Sequence, residues 1–210
     1  MDENSLPSII PDQQTGAKTD IKASEECTSV DEAKQLFSEA RQRLLNVNNW
    51  HHLCGAVSAT FKLTDEAGNE VNQEVQTGNY FKIDIPGPGT VTGEGYDWVK
   101  VERIEARDEA SVADEIVAIK VRPASNPLNA KTDVAHFFTD EATSSFLVQR
   151  TGNTVTAEVH GRNEKPNTAA DAVVDKTRNT MVATGAIVGF SSAQWKSLVS
   201  GILGKKQSII

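Results

Sequence analysis

Two periodicities organise the chain. Between Ala33 and Trp50 the apolar residues Ala33, Leu36, Phe37, Ala40, Leu44, Val47 and Trp50 recur at threes and fours, the spacing of one stripe on an amphipathic helix. Ser29-Val30-Asp31-Glu32 just ahead of them is a capping box, in which Ser29 accepts from the Glu32 amide and Glu32 reaches back. This predicts a helix from Val30 to about Val47, fraying in the polar residues 46–49. After Gly55 the period drops to two. Val57, Ala59, Phe61 and Leu63 alternate with polar residues, and Phe81, Ile83 and Ile85 do the same. Both read as half-buried strands, with Val71 to Gln76 a polar return strand between them. The short turns at 65–69 and 77–79 imply an antiparallel meander.

Pro86 to Gly89 stops that strand and opens a Gly-rich loop reaching Tyr96. Trp98, Val99, Val101 and Ile104 begin the next strand, whose parity slips between Val101 and Ile104, so a bulge is predicted there. Ile116 to Val121 is a compact strand, and the stretch from Pro123 to Asp140 is irregular. Phe146 and Val148 open a strand that Gly152-Asn153 turns into a hairpin with Val155, Ala157 and Val159. A polar connector covers 161–167. From Thr168 the chain is Ala- and Val-rich, Gly189 interrupts it, and Trp195, Leu198, Val199, Ile202 and Leu203 resume the helical stripe up to Gly204-Lys205-Lys206.

Helix, about seven antiparallel strands, then a long apolar helix is an α+β layout. The simplest arrangement is a curved antiparallel sheet of six to seven strands packed on a long C-terminal helix, with one N-terminal helix. Residues 1–28 are polar and read as a disordered or loosely attached tail, with Leu6 to Ile10 the one stretch able to add an edge strand. Residues 29–210 form a single domain in this reading.

The formal net charge is −8 and hydrophobic residues make up 38% of the chain. The acidic balance argues against a nucleic-acid partner, whose phosphates need Lys and Arg. No apolar run approaches the ~20 residues of a membrane span. Cys27 and Cys54 make no disulfide framework, and the start lacks a basic leader, so reduced thiols and a cytoplasmic location are expected.

The order of elements resembles the helix-grip fold of the START and Bet v 1-like ligand-binding families, over roughly Ser29 to Leu203. That resemblance implies an apolar cavity between the sheet and the C-terminal helix. Those families usually open with a strand ahead of the first helices, which Leu6 to Ile10 would have to supply. A lipocalin-like barrel, which would want a strand in place of the first helix, and a cone-shaped cystatin-like or nuclear transport factor 2-like sheet are the competing layouts.

Little chemistry stands out. Gly87, Gly89 and Gly93 lead to a strand, whereas a phosphate-binding loop opens a helix. His51, His52 and Cys54 are close together, but His136 and His160 lie on separate segments, so no metal site is expected. Neither Cys54 nor Ser144 or Ser145 has a base and an orienting carboxylate nearby in sequence, so no catalytic residue is assigned. The cavity wall is expected from Phe61, Phe81, Ile83, Trp98, Val101, Ile119, Phe146, Met181 and Phe190, with Phe137 and Phe138 as further aromatic candidates. Arg122, His136, His160 and Arg162 are the polar candidates for holding a ligand head. The expected function is non-catalytic binding of a small apolar or amphipathic molecule, lipid or polyketide-like, without a cofactor. Two other readings compete: a homodimer or interaction protein using Trp195, Leu198, Val199 and Ile202, and a cyclase- or hydrolase-like enzyme relying on Arg122, His136 and His160.

Overall fold

The computed structural model describes residues 9–54, 58–85, 92–107, 114–130, 132–167 and 191–205. Its elements are β1 (Ala17–Glu26), α1 (Val30–Leu45), a 3-10 turn (Val47–Asn49), α2 (Trp50–Cys54), β2 (Thr60–Thr64), β3 (Tyr80–Asp84), β4 (Asp97–Arg107), β5 (Asp114–Pro123), β6 (Thr143–Thr151) and β7 (Thr154–Glu164). A last helix, α3, covers residues 191–202. The strands form one seven-stranded sheet in the order β1-β7-β6-β5-β4-β3-β2, and every neighbouring pair is antiparallel.

The helix start follows the sequence, with one change. The Glu32 amide donates to Ser29 Oγ at 3.2 Å, but the Glu32 carboxylate accepts from the amide and hydroxyl of Thr28. The box closes one residue earlier than its consensus. The predicted bulge in β4 falls between Val101 and Arg103. The hairpin between β6 and β7 turns at Gly152, whose φ of 59° suits a residue without a side chain.

Two expectations fail. Residues 17–26, read as part of a loose tail, are a ten-residue strand on β7. Thr19, Ile21 and Ala23 turn inward there, and of these only Ile21 and Ala23 are apolar, while Lys18, Asp20, Lys22 and Glu25 face outward or lie exposed. An edge strand solvated on one face and fed by backbone pairing needs few apolar residues, so its composition hides it. It also supplies the opening strand that Leu6 to Ile10 was expected to give. Conversely, 71–76 is not a strand. A single bridge joins Thr64 to Glu70, and β2 pairs directly with β3. The segment instead runs to the end of α1, where the Val75 amide donates to the Leu45 carbonyl and Asn48 Nδ2 donates to the Val71 carbonyl.

The sheet is strongly curved, and one side chain demonstrates it. The Trp50 indole lies 5.3 Å from the Phe61 ring on β2, 5.7 Å from Phe81 on β3 and 4.9 Å from Phe146 on β6. In a flat sheet β2 and β6 would stand about 19 Å apart, four spacings of ~4.8 Å. One indole touches both only if the sheet wraps around it. The concave face is filled by α1, α2 and α3, whose Phe37, Leu44, Trp50, Leu198, Val199 and Ile202 join the inward residues of every strand in one core. The described part of the C-terminal helix therefore turns Leu198, Val199 and Ile202 inward, away from any dimer surface. The expected helical stretch from Thr168 to Gly189 lies outside the described residues. On the convex face, Ile9 packs with Ala118 and Leu147, and its carbonyl accepts from Ser145 Oγ. Among the described residues no helix is long and apolar enough to cross a membrane.

Candidate functional site

A cavity of about 60 Å3 remains between the concave sheet, α3 and the irregular segment after β5. Its apolar wall includes Phe61, Phe81, Ile83, Val99, Val121, Phe146 and Trp195. Register explains the selection. Phe61 pairs with Ile83 and Phe81 with Val99, so β2, β3 and β4 present these side chains on the same face. Phe137 and Phe138, half-buried, border the cavity beside Ile85.

Polar groups enter this apolar space from three directions. His136 comes from the segment between β5 and β6, which is laid along the end of β7 by backbone bonds: Asn167 N donates to the Phe137 carbonyl and Thr139 N to the Lys165 carbonyl. Asn167 Nδ2 adds a bond to the His136 carbonyl. His136 is 6% exposed, and its Nδ1 accepts from the Phe138 amide at 2.9 Å. An acceptor at Nδ1 puts the ring proton on Nε2. Burial holds the ring pKa down to about 3, against a small opposing effect of the Phe138 bond. His136 is thus a neutral donor lining the cavity, and its Nε2–H has no hydrogen-bond partner among the described residues.

Glu164 enters from β7. Alternation from Val159 would turn positions 161 and 163 inward. Instead Asn163 adopts φ 56°, which shifts the parity and brings Glu164 to the cavity. Gly161 leaves the room, since a Cβ there would lie 2.0 Å from Glu164 Oε1. Thr19 of β1 donates its hydroxyl to Glu164 Oε2 at 2.9 Å. Burial raises the Glu164 pKa, offsetting the Thr19 bond and nearby Arg162. From α3, Gln194 is fixed by accepting the Ala59 amide at 2.7 Å, which leaves its amide nitrogen as a donor. Ser144 and Ser191 complete the polar lining.

Of the residues expected at the site, Phe61, Phe81, Ile83, His136 and Phe146 line the cavity together. Val101 and Ile119 share their face but pack in the core away from the lining. Met181 and Phe190 lie outside the described residues. Trp98, Arg122, His160 and Arg162 are corrected, because strand parity puts them on the convex face. Trp98 is paired with Lys82, next to inward Val99. Arg122 is held by Glu102 and the Asp140 carbonyl. Arg162 binds the carbonyls of Thr19 and Gly161 and the Asp20 carboxylate. His160 sits between Asp20 at 2.6 Å and Glu158 at 2.8 Å. Glu164, Thr19, Gln194 and Trp195 were missed as site residues. The available signal was Gly161 followed by Asn163, the residue types that vacate space and tolerate a left-handed backbone.

His160 carries a testable consequence for β1. Burial alone would lower its pKa, but hydrogen bonds to Glu158 and Asp20 outweigh burial and raise it. A raised folded pKa gives stability that is complete below the unfolded value near 6.5 and is lost as pH rises through the folded value. His160→Gln should therefore lose most relative to wild type near pH 6, and the gap should narrow by pH 9. Urea denaturation midpoints at the two pH values measure it, and a gap that widens toward pH 9 contradicts the assignment.

Burial pushes the Cys54 thiol up to about 12, so it is protonated at neutral pH. No group of three His, Cys, Asp or Glu side chains is placed to hold a metal ion among the described residues.

No family model matches the sequence, and no curated protein does. Among solved structures, the hypothetical protein jhp0584 from Helicobacter pylori is similar over 95% of this chain and 96% of its own, with 15% identity and a TM-score of 0.52. That likeness concerns the fold alone. Norcoclaurine synthase from Thalictrum flavum, solved with dopamine and hydroxybenzaldehyde, aligns over 97% of this chain and 100% of its own at 9% identity and a TM-score of 0.38. Ginseng major latex-like protein 151 from Panax ginseng aligns over 90% and 97% at 13% identity and a TM-score of 0.36. At these TM-scores neither likeness carries an argument.

Proposed function

We propose that the protein binds a small amphipathic molecule in the cavity between the concave sheet and α3, without chemistry at the site. The observation that carries this reading is His136, a 6% exposed residue whose neutral imidazole borders an aromatic-walled space and whose Nε2–H has no hydrogen-bond partner among the described residues. A ligand acceptor would pair with that donor, while the Phe and Trp walls take the apolar body. The volume narrows the class. A cavity of about 60 Å3 is smaller than the ~150 Å3 that admits benzene, and far smaller than the ~300–1,000 Å3 of drug-sized sites. A single ring requires bordering side chains such as half-buried Phe137 and Phe138 to rotate aside; a long lipid chain needs much more.

Titration with 2-phenylethanol, followed by tryptophan fluorescence, tests the proposal, since Trp195 lines the cavity. Saturable quenching is expected, weakened about fivefold in His136→Phe, the equivalent of one hydrogen bond of ~1 kcal/mol. Linear, unsaturable quenching in the wild type contradicts it. The enzyme reading loses two of its three nominees, Arg122 and His160, to the convex face.

A further inference from the structure

Among the described residues the cavity contains one carboxyl, Glu164, and the backbone is arranged to keep it there. Asn163 holds a left-handed conformation, which is unfavourable for a residue with a side chain though least so for Asn. A strap of residues 12–15 holds it in place. Asn163 Oδ1 accepts from the amides of Gln14 at 2.7 Å and Thr15 at 3.1 Å, and the Asn163 amide donates to Gln13 Oε1. Gly161 gives up its side chain to make space for the carboxyl. The result leaves Glu164 8% exposed, with Oε2 bonded to Thr19 and Oε1 without a hydrogen-bond partner among the described residues.

The charge around it is one-sided. Of the described lining residues, only His136 and Glu164 are titratable members of the acid, base and imidazole types, and His136 is neutral. Arg162, whose charge acts on Glu164, stays on the convex face, bonded to Asp20 and two carbonyls, and Lys165 pairs with Glu141. An anionic ligand would meet a carboxyl and no described cation. An ammonium group would find a carboxylate partner inside a ring of Phe61, Phe81, Phe146 and Trp195, whose π faces attract positive charge. Meanwhile His136 Nε2–H and the Gln194 amide donate to an acceptor elsewhere on the ligand.

We infer that Glu164 makes this cavity selective for a small ring-bearing molecule with a protonated amine, and that carboxylate ligands are excluded. The inference rests on the binding reading above and adds the head-group chemistry to it.

The test compares three probes with one apolar body: 2-phenylethylammonium, 2-phenylethanol and 3-phenylpropanoate. For the wild type at pH 8, the ammonium should bind at least about tenfold more tightly than the carboxylate, with the alcohol between them. In Glu164→Gln the ammonium should fall to the affinity of the alcohol, whose own binding stays within about twofold. A wild-type pH series tests the same point without a variant. Asp20 from β1, Arg162 on β7, Lys165 beyond it and His136 from the facing segment are the charged and titratable groups around Glu164. Ammonium binding should weaken as pH falls and Glu164 takes up its proton, while alcohol binding holds. Equal affinities for all three probes, or a preference for the carboxylate, overturn the inference and leave the cavity reading intact. Failure of all three to bind overturns both.

Discussion

Replacing Trp50 with Ala is expected to remove about 3–5 kcal/mol of stability, the range for deleting a large buried aromatic side chain. Marginal domains hold only ~5–15 kcal/mol in total, so this one change brings the protein close to unfolding at room temperature. The size of the effect follows from position. Trp50 is fully buried and its ring touches Phe61, Phe81 and Phe146 from three strands. Its Nε1–H donates to the carbonyls of Leu44 and Arg43 at the end of α1. The same side chain therefore fills the bowl of the sheet and closes a helix C-terminus. Trp50→Phe separates the roles: it keeps most of the packing and drops the carbonyl contacts, for a loss of about 1 kcal/mol from the hydrogen bond. Equilibrium urea unfolding of both variants measures the difference. A Trp50→Ala protein within 1 kcal/mol of wild type would mean that the bowl is not packed around this indole.

Gly201→Ala is expected to disturb both stability and binding. A Cβ at this position would meet the Leu53 carbonyl oxygen at 2.4 Å and Leu53 Cβ at 2.8 Å. The obstacle is backbone, so α3 must shift away from α2. Overpacking of this kind typically destabilises by about 1–3 kcal/mol, well above the gain of a few tenths to 1 kcal/mol that Ala brings to a helix. The displacement also carries Gln194 and Trp195, about two turns earlier on α3, off the cavity. Thermal unfolding should show a lower midpoint, and 2-phenylethanol affinity should fall by tenfold or more. Lys196→Ala, on the exposed side of the same helix, should change neither by much. Wild-type affinity in Gly201→Ala would show that α3 does not form the cavity wall.

The strands and helices whose residues alternate or repeat cleanly were legible from the chain alone. α1 is one, with its Ser29 cap; the bulge at Val101 is another; the hairpin at Gly152 a third. Each depends on contacts within a few residues. β1 was hidden because its fit to the sheet comes from backbone pairing with β7, 128 to 147 positions away, and its composition is that of a solvated edge. The reverse error at 71–76 has the mirrored cause: alternation there is weak, and the segment's bonds go to the end of α1 rather than to a strand.

The site divides along the same line. Aromatic wall positions on β2, β3 and β6 follow from period two, so Phe61, Phe81 and Phe146 were recoverable. The polar end depends on a parity change at Asn163 that no periodicity announces. Simple alternation does place His160 and Arg162 opposite Val159 and Gly161, on the convex face, and the structure puts them there, tied to Asp20. The density of polar residues at 160–164 drew attention to the right five positions but to the wrong side of the sheet.

Histidine-selective nitrogen NMR addresses the central claim most directly. The chain has 4 His residues, and His136 should be distinguishable as a neutral ring protonated at Nε2, unchanged from pH 5 to 8. Its signals should move on addition of 2-phenylethanol with the same midpoint as the fluorescence titration, while those of His160 on the convex face stay still. A His136 that titrates near 6.5, or that stays unmoved while ligand saturates, would contradict a ligand seated against this imidazole.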